Sequence, residues 1–260
     1  MATFLFDSIV FGPVSSRRLG VSLGINLLPV SRKVCSFNCI YCECGWTHVK
    51  QAKKEALPSR TEVYEALRKK LTEMKEQGKA PDVITYAGNG EPTLHPDFAL
   101  IIDDSVALRD EFFPDARISV LSNGSMLRRK SVRDALKKVD MNILKLDSAL
   151  PDTVRQLNQP HVKTDLSLFE KYVREFDGKF IIQTLFVRGE CDGHPVDNTT
   201  EEEITAWLGA LQRLRPRQVM IYTIHRDTPL GNSLHKVPVS DLNAIARKVN
   251  EMGIPTSVSG

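Results

Sequence analysis

Four of the five cysteines of this 260-residue chain crowd into ten residues, at Cys35, Cys39, Cys42 and Cys44, and Cys191 stands apart. The first three are spaced C-x3-C-x2-C, with Tyr41 before the last. Thiolates ligate iron, and three of them on one short loop can hold three irons of a cubane cluster and leave the fourth open. Zinc is an alternative, with Cys44 or His48 completing the ligands, although structural zinc more often takes two separated pairs. Cysteines this few and this clustered do not make a secreted disulfide framework. A chance group of buried thiols is the plain alternative to all of these. Cys44 reads as an inert neighbour rather than a redox-active thiol, because no matched base adjoins it.

Further polar groups recur where chemistry needs them. In Ala87-Gly88-Asn89-Gly90-Glu91-Pro92-Thr93, the glycines let backbone approach a ligand, and a carboxylate or carbonyl there can accept from an ammonium group. The same residues also suit a tight β-to-α turn capped by Glu91. Ser122-Asn123-Gly124 and Lys145-Leu146-Asp147-Ser148 are polar in the same way, with Lys145 and Asp147 on one face of a strand. A buried Lys beside an Asp is costly unless paired or bound to a ligand, so this pair belongs to a site or to a structural ion pair. Gln183, Tyr222, Thr223 and His225 point the same way, although a lone His is more often a satisfied residue than a catalyst. Arg17-Arg18 can grip a phosphate or carboxylate, or form a solvated turn.

The elements that must position these groups alternate along the chain. Strand candidates are 22–28, 83–87, 118–122, 142–147, 180–187 and 219–224, and helix candidates are 61–77, 97–111, 129–138, 165–176, 200–213 and 240–252. Thr61 is the expected N-cap of the first helix, Thr199-Thr200 precede a Glu-rich first turn, and Gly253 stops the last helix. Six β-α units imply an α/β fold with a parallel sheet and right-handed crossovers, either open or rolled into part of a barrel. Ligands then gather at the C-terminal strand ends, where the motifs above fall. The polar segment 188–199 reads as a surface turn rather than a cover.

A hydrophobic content of 42% supplies a sizeable core, and 35 Lys and Arg against 32 Asp and Glu give a net charge of only +3. That lacks the basic excess of a dedicated nucleic-acid binder. The start has no basic region leading an apolar stretch, and no window is apolar enough to span a membrane, so a cytoplasmic protein is expected. No repeat or linker divides the chain, which implies one domain. Three function classes compete: an enzyme, an iron–sulfur electron carrier and a zinc-stabilised binding module. The Gly88–Glu91 and Lys145–Asp147 motifs favour the enzyme, since a carrier needs neither.

The cysteine spacing with Tyr41 resembles the signature of the radical S-adenosylmethionine superfamily, and Gly88–Glu91 resembles its Gly-Gly-Glu motif with Asn89 interposed. FGPVSSRRLGVSLGINLLPVSRKVCSFNCIYC, GNGEPTLHPDF, LSNGSML, KLDSA and IYTIHRDTPL are similar to the wyosine-synthase-like, tRNA-modifying-like group, over most of residues 8–252. The resemblance implies a partial (β/α)6 TIM-like barrel over residues 1–260, with 1–21 as an N-terminal extension packed on it. It implies an oxygen-sensitive [4Fe–4S] cluster on Cys35, Cys39 and Cys42. It also implies S-adenosyl-L-methionine held by Tyr41, Gly88, Gly90, Glu91, Ser122, Asn123, Lys145, Asp147, Gln183 and Tyr222. The chemistry implied is reductive cleavage of that cofactor to a 5′-deoxyadenosyl radical, fed by an external electron donor such as flavodoxin or ferredoxin. The substrate stays open among an RNA base, a glycyl-radical protein activated in trans, and a small molecule. Gly90→Val and Asp147→Ala are expected to impair cofactor use while leaving the cluster intact.

Overall fold

The computed structural model describes residues 4–16, 19–47 and 56–260; Arg17, Arg18 and His48 lie outside them. Strand β1 (Val10–Ser16) pairs antiparallel with β2 (Gly20–Ile25). From β2 onward the main sheet is parallel, through β3 (Val83–Tyr86), β4 (Arg117–Ser122), β5 (Met141–Lys145), β6 (Ile181–Cys191), β8 (Gln218–Thr223) and β10 (Thr256–Ser259). Helices α1 (Arg60–Glu76), α2 (Phe98–Phe112), α3 (Lys130–Leu136), α4 (Pro151–Asn158), α5 (Leu166–Val173), α6 (Glu201–Leu214) and α7 (Val239–Glu251) fill the crossovers. The sheet curls into the partial barrel expected.

The period of two along each strand explains the layering. Ile84, Tyr86, Ile118, Val120, Leu144, Ile182, Val219 and Ile221 point outward into the core shared with the helices. Val83, Met141, Ile143, Ile181 and Met220 point inward, into a smaller cluster closed by Leu19. Two residues further on, the same inward face turns polar, with Thr85, Lys145, Gln183 and Tyr222. The barrel is thus plugged with apolar side chains at one end and polar at the end where the strands finish. Trp207 of α6 fastens the wall there: its Nε1 donates to Leu146 O at 3.2 Å and Thr184 Oγ1 at 3.1 Å, and its ring meets Phe186 edge-on.

Several expectations are corrected. The cap of α1 is Ser59 rather than Thr61, because Ser59 and Glu62 form a reciprocal capping box. Thr200 does cap α6, accepting from Glu203 N. Residues 188–199 are not a surface turn: β6 runs on to Cys191 and returns as β7 (His194–Asp197), and β9 (Leu234–Lys236) pairs along its other side. The turn is Asp192-Gly193 at φ 52° and 77°, a pair of left-handed conformations that Asp-Gly suits. Part of the expected N-terminal extension is β1, a strand of the sheet itself.

Candidate active site

The three thiols ride on the loop after β2, which is stitched to two distant elements. Val34 N donates to Asn89 O at 2.8 Å, and Glu91 N donates to Val34 O at 3.1 Å, fastening the loop to the turn after β3. Asn38 N donates to Asn158 O at 2.9 Å and Ile40 N to Leu157 O at 3.0 Å, fastening it to the end of α4. Ile40 is fully buried in an apolar cluster with Phe37, Leu157, Leu185, Val187 and Cys191. That cluster gives the loop a core of its own.

Cys35, Cys39 and Cys42 line one cavity of about 330 Å³, and so do Tyr41, Gly88, Gly90, Glu91, Ser122, Asn123, Lys145, Gln183 and Tyr222. Cys44, Thr223 and His225 line it too. Asp147 does not: its side chain is wholly buried behind the wall. Sequence reasoning missed Phe6, Lys33 and Arg226, which also face the cavity. A basic residue two positions before Cys35 was a usable signal for Lys33; the other two come from segments far from the motifs.

Each thiol group has a defined environment. Cys35 Sγ accepts from Phe37 N at 3.4 Å and Asn123 Nδ2 at 3.6 Å, and Cys39 Sγ accepts from Asn158 Nδ2 at 3.5 Å. Burial pushes the Cys35 thiol up to about 12, against the pull of Lys33, and raises Cys39 likewise, against Lys145. Cys42 is held below the usual thiol range, first by a hydrogen bond from Cys44 and then, against desolvation, by Lys33. Cys44 rises as the donor of that bond, and its Sγ also donates to Gly88 O at 3.4 Å.

The Asp147 carboxylate is a structural hub. Its Oδ2 accepts from Tyr41 Oη, from Lys145 Nζ at 3.2 Å and from Asn158 Nδ2 at 2.7 Å, and its Oδ1 accepts from Leu185 N at 3.0 Å. Lys145 Nζ also reaches Tyr41 Oη at 2.5 Å. Burial, the largest single influence, would lower Lys145, but Asp147, Tyr222 and Cys39 together outweigh it and the ammonium is held above its ordinary value. Asp147→Ala removes the acceptor from a buried lysine, which costs about 3–5 kcal/mol, or roughly 6–20 °C in Tm for a domain of this size. Calorimetry checks this, and an unchanged melt would mean that the carboxylate does not hold the wall.

Glu91 is spent in the same manner. Its Oε1 accepts from Thr93 N, Thr93 Oγ1 and Ser122 Oγ, and its Oε2 from Asn123 N at 2.7 Å, binding the end of β3 to the end of β4. Burial raises its carboxyl. The interposed Asn89 has a positional role: its amide pairs with Phe6 N and Phe6 O at 2.9 and 2.8 Å and donates to Pro29 O at 2.9 Å. It thereby lays the N-terminal segment across the cavity mouth. Phe4 N donates to Glu43 O there, and Arg226 pairs with Glu43 at 3.0 Å while lying 5.7 Å from the Phe4 ring.

Three thiols around one cavity, two of them with N–H partners to sulfur, fit the ligand set of an iron–sulfur cluster. Among the described residues no three His, Cys, Asp or Glu side chains are gathered closely enough to hold a single metal ion; His48, named above as a candidate zinc ligand, lies outside those residues. The parallel half-barrel with a thiol loop at its mouth defines a class of enzyme that works through a bound cofactor. A sequence profile of the Radical SAM superfamily matches residues 31–198, and the chain belongs to that superfamily. That superfamily works through S-adenosylmethionine and an iron–sulfur centre.

The chain is 32% identical over 187 residues to a UPF0026 protein of Helicobacter pylori, covering 71% of this chain and 58% of that protein. Its fold matches a radical SAM methyltransferase from Sphaerobacter thermophilus at a TM-score of 0.67, with 15% identity, over 92% of this chain and 65% of that one. It also matches TYW1 with a lysine-pyruvate adduct bound at 0.60, with 17% identity, over 88% and 73%. The chain spans between 30% and 63% of the length of four curated relatives it matches. No described helix is long and apolar enough to cross a membrane.

Proposed function

We propose that Cys35, Cys39 and Cys42 carry a [4Fe–4S] cluster whose open iron takes the methionine end of S-adenosylmethionine, and that residues 1–260 act as one catalytic unit in the cytoplasm. When bound, the pair supplies one-electron cleavage of the sulfonium to methionine and a 5′-deoxyadenosyl radical. The observation that carries this reading is the convergence of the three thiols with the turn Gly88–Glu91 and with Asn123, Lys145, Gln183 and Tyr222 on one cavity. A bare electron carrier has no use for that second set.

The chain's own residues do the positioning. The backbone of Gly88–Glu91 offers close approach to the cofactor's ammonium. Lys145 would pair with its carboxylate, and Gln183 and Tyr222 would hold the adenosyl part. Asp147 acts one layer back, by holding Tyr41 and Lys145. Phe6, held by Asn89, keeps water from the mouth. An external flavodoxin or ferredoxin supplies the electron, and the substrate to be modified is open, an RNA base included.

Reconstitution without oxygen, followed by reduction with dithionite in the presence of S-adenosylmethionine, is expected to yield 5′-deoxyadenosine and methionine in equal amounts. A protein that binds about four irons, as a cubane requires, yet makes neither product would be an electron carrier instead.

A further inference from the structure

Lysine is almost never fully buried unless something offsets the loss of water around its charge. Lys33 is 4% exposed and lines the cavity beside the three thiols. Its Nζ donates to Gly45 O at 2.9 Å, drawing the far end of the cysteine loop down onto it. The cavity's other lysine, Lys145, has Asp147 as its counter-charge. Lys33 has no carboxylate partner among the described residues; the acidic groups acting on it are Cys42, Cys35 and Cys39. A neutral donor would satisfy the Gly45 carbonyl as well, without the desolvation penalty of an ammonium. The position therefore has a use for charge.

We infer that Lys33 is the counter-charge of the cluster, and that its ammonium, fixed between the Gly45 carbonyl and the thiol trio, raises the cluster's reduction potential. This rests on the functional reading above. A [4Fe–4S] core with three thiolates carries one net negative charge, and a second after an external carrier delivers one electron, with no bond made or broken. A fixed cation favours the more negative state, and does so strongly in a buried site of low dielectric. Lys33 is thus a positioning residue for charge rather than a group that reacts.

The test compares Lys33→Gln, which keeps a donor for Gly45 O and loses the charge, with Lys33→Arg, which keeps the charge. Each full-length protein is reconstituted without oxygen, its iron is counted, and the cluster is titrated against solution potential by electron paramagnetic resonance. Lys33→Gln is expected to bind the parent's iron and show about a tenfold lower ratio of reduced to oxidised cluster at a given potential, which for a one-electron couple is about 59 mV. Lys33→Arg is expected to stay near the parent. An unchanged potential in fully loaded Lys33→Gln would overturn the inference and leave Lys33 as a fastener of the loop. Failure of Lys33→Gln to assemble a cluster, with Lys33→Arg assembling normally, supports the need for charge; failure of both overturns it, because shape would then be what matters. A parent protein that binds no cluster overturns the functional reading itself, and this inference with it.

Discussion

Alanine at Cys35, Cys39 or Cys42 is expected to yield a folded protein without the brown colour and iron of a cubane, whereas Cys44→Ala and Cys191→Ala are expected to keep both. On the proposed reading each of the first three would supply one of three protein ligands, so losing one would leave two irons without a thiolate. Cys191 is 6% exposed and packs with Phe37, Ile40 and Leu157 in the cluster beneath the loop, so its thiol is committed to packing. Cys44 lines the cavity, but its Sγ is engaged by Gly88 O and by Cys42. Losing it removes a weak hydrogen bond, about 0.5–1.5 kcal/mol, and no ligand. Iron analysis and visible absorbance after anaerobic reconstitution read the difference. Loss of the cluster in Cys44→Ala or Cys191→Ala would undo the ligand assignment.

Substitution of Gly90 is expected to cost the cluster as well as the cofactor, which reverses the expectation from sequence. Gly90 sits at φ +138°, and a Cβ there would lie 1.8 Å from Val34 O and 2.5 Å from Val34 C. The obstacle is backbone of the cysteine loop, one residue before Cys35, and it cannot swing aside as a side chain would. Strained dihedrals and overpacking each cost about 1–3 kcal/mol. Gly90→Ala is therefore expected to be destabilised by about 2–6 kcal/mol and to take up less iron, and Gly90→Val to assemble no cluster. Parent-like iron and melting temperature in Gly90→Ala would show that the Val34–Gly90 bridge is dispensable.

The mouth of the cavity joins segments that are remote in the chain. Phe4 and Phe6 come from the N-terminus, Glu43 from the cysteine loop and Arg226 from the loop after β8. The Glu43–Arg226 pair is exposed enough for solvent to screen most of its Coulomb energy. Closure at that edge therefore depends more on Asn89 gripping the Phe6 backbone than on the ion pair.

The residues that line the cavity together could largely be read from sequence because the patterns that group them are local. Three cysteines on one loop stay together however the rest of the chain folds. Lys145, Gln183 and Tyr222 follow inward-facing apolar residues by two, so strand geometry alone sends them to one end of the barrel. Strands β1 and β10 were missed for a reason of the same kind. The first contains Gly12-Pro13, which an edge strand tolerates, and the second is a four-residue, largely polar stretch with a partner on one side only. Only the tertiary structure decided what each polar side chain serves. Asp147 reads as a ligand-binding carboxylate, and in the folded protein it accepts hydrogen bonds from partners 11, 38 and 106 residues away. Glu91 is used up by Ser122 and Asn123, Asn89 becomes the clamp on Phe6, and Lys33 gains its meaning from thiols that fold over it. A hydrogen-bond partner across the barrel depends on how loops pack on the finished sheet, and that packing leaves no pattern in the residues to either side.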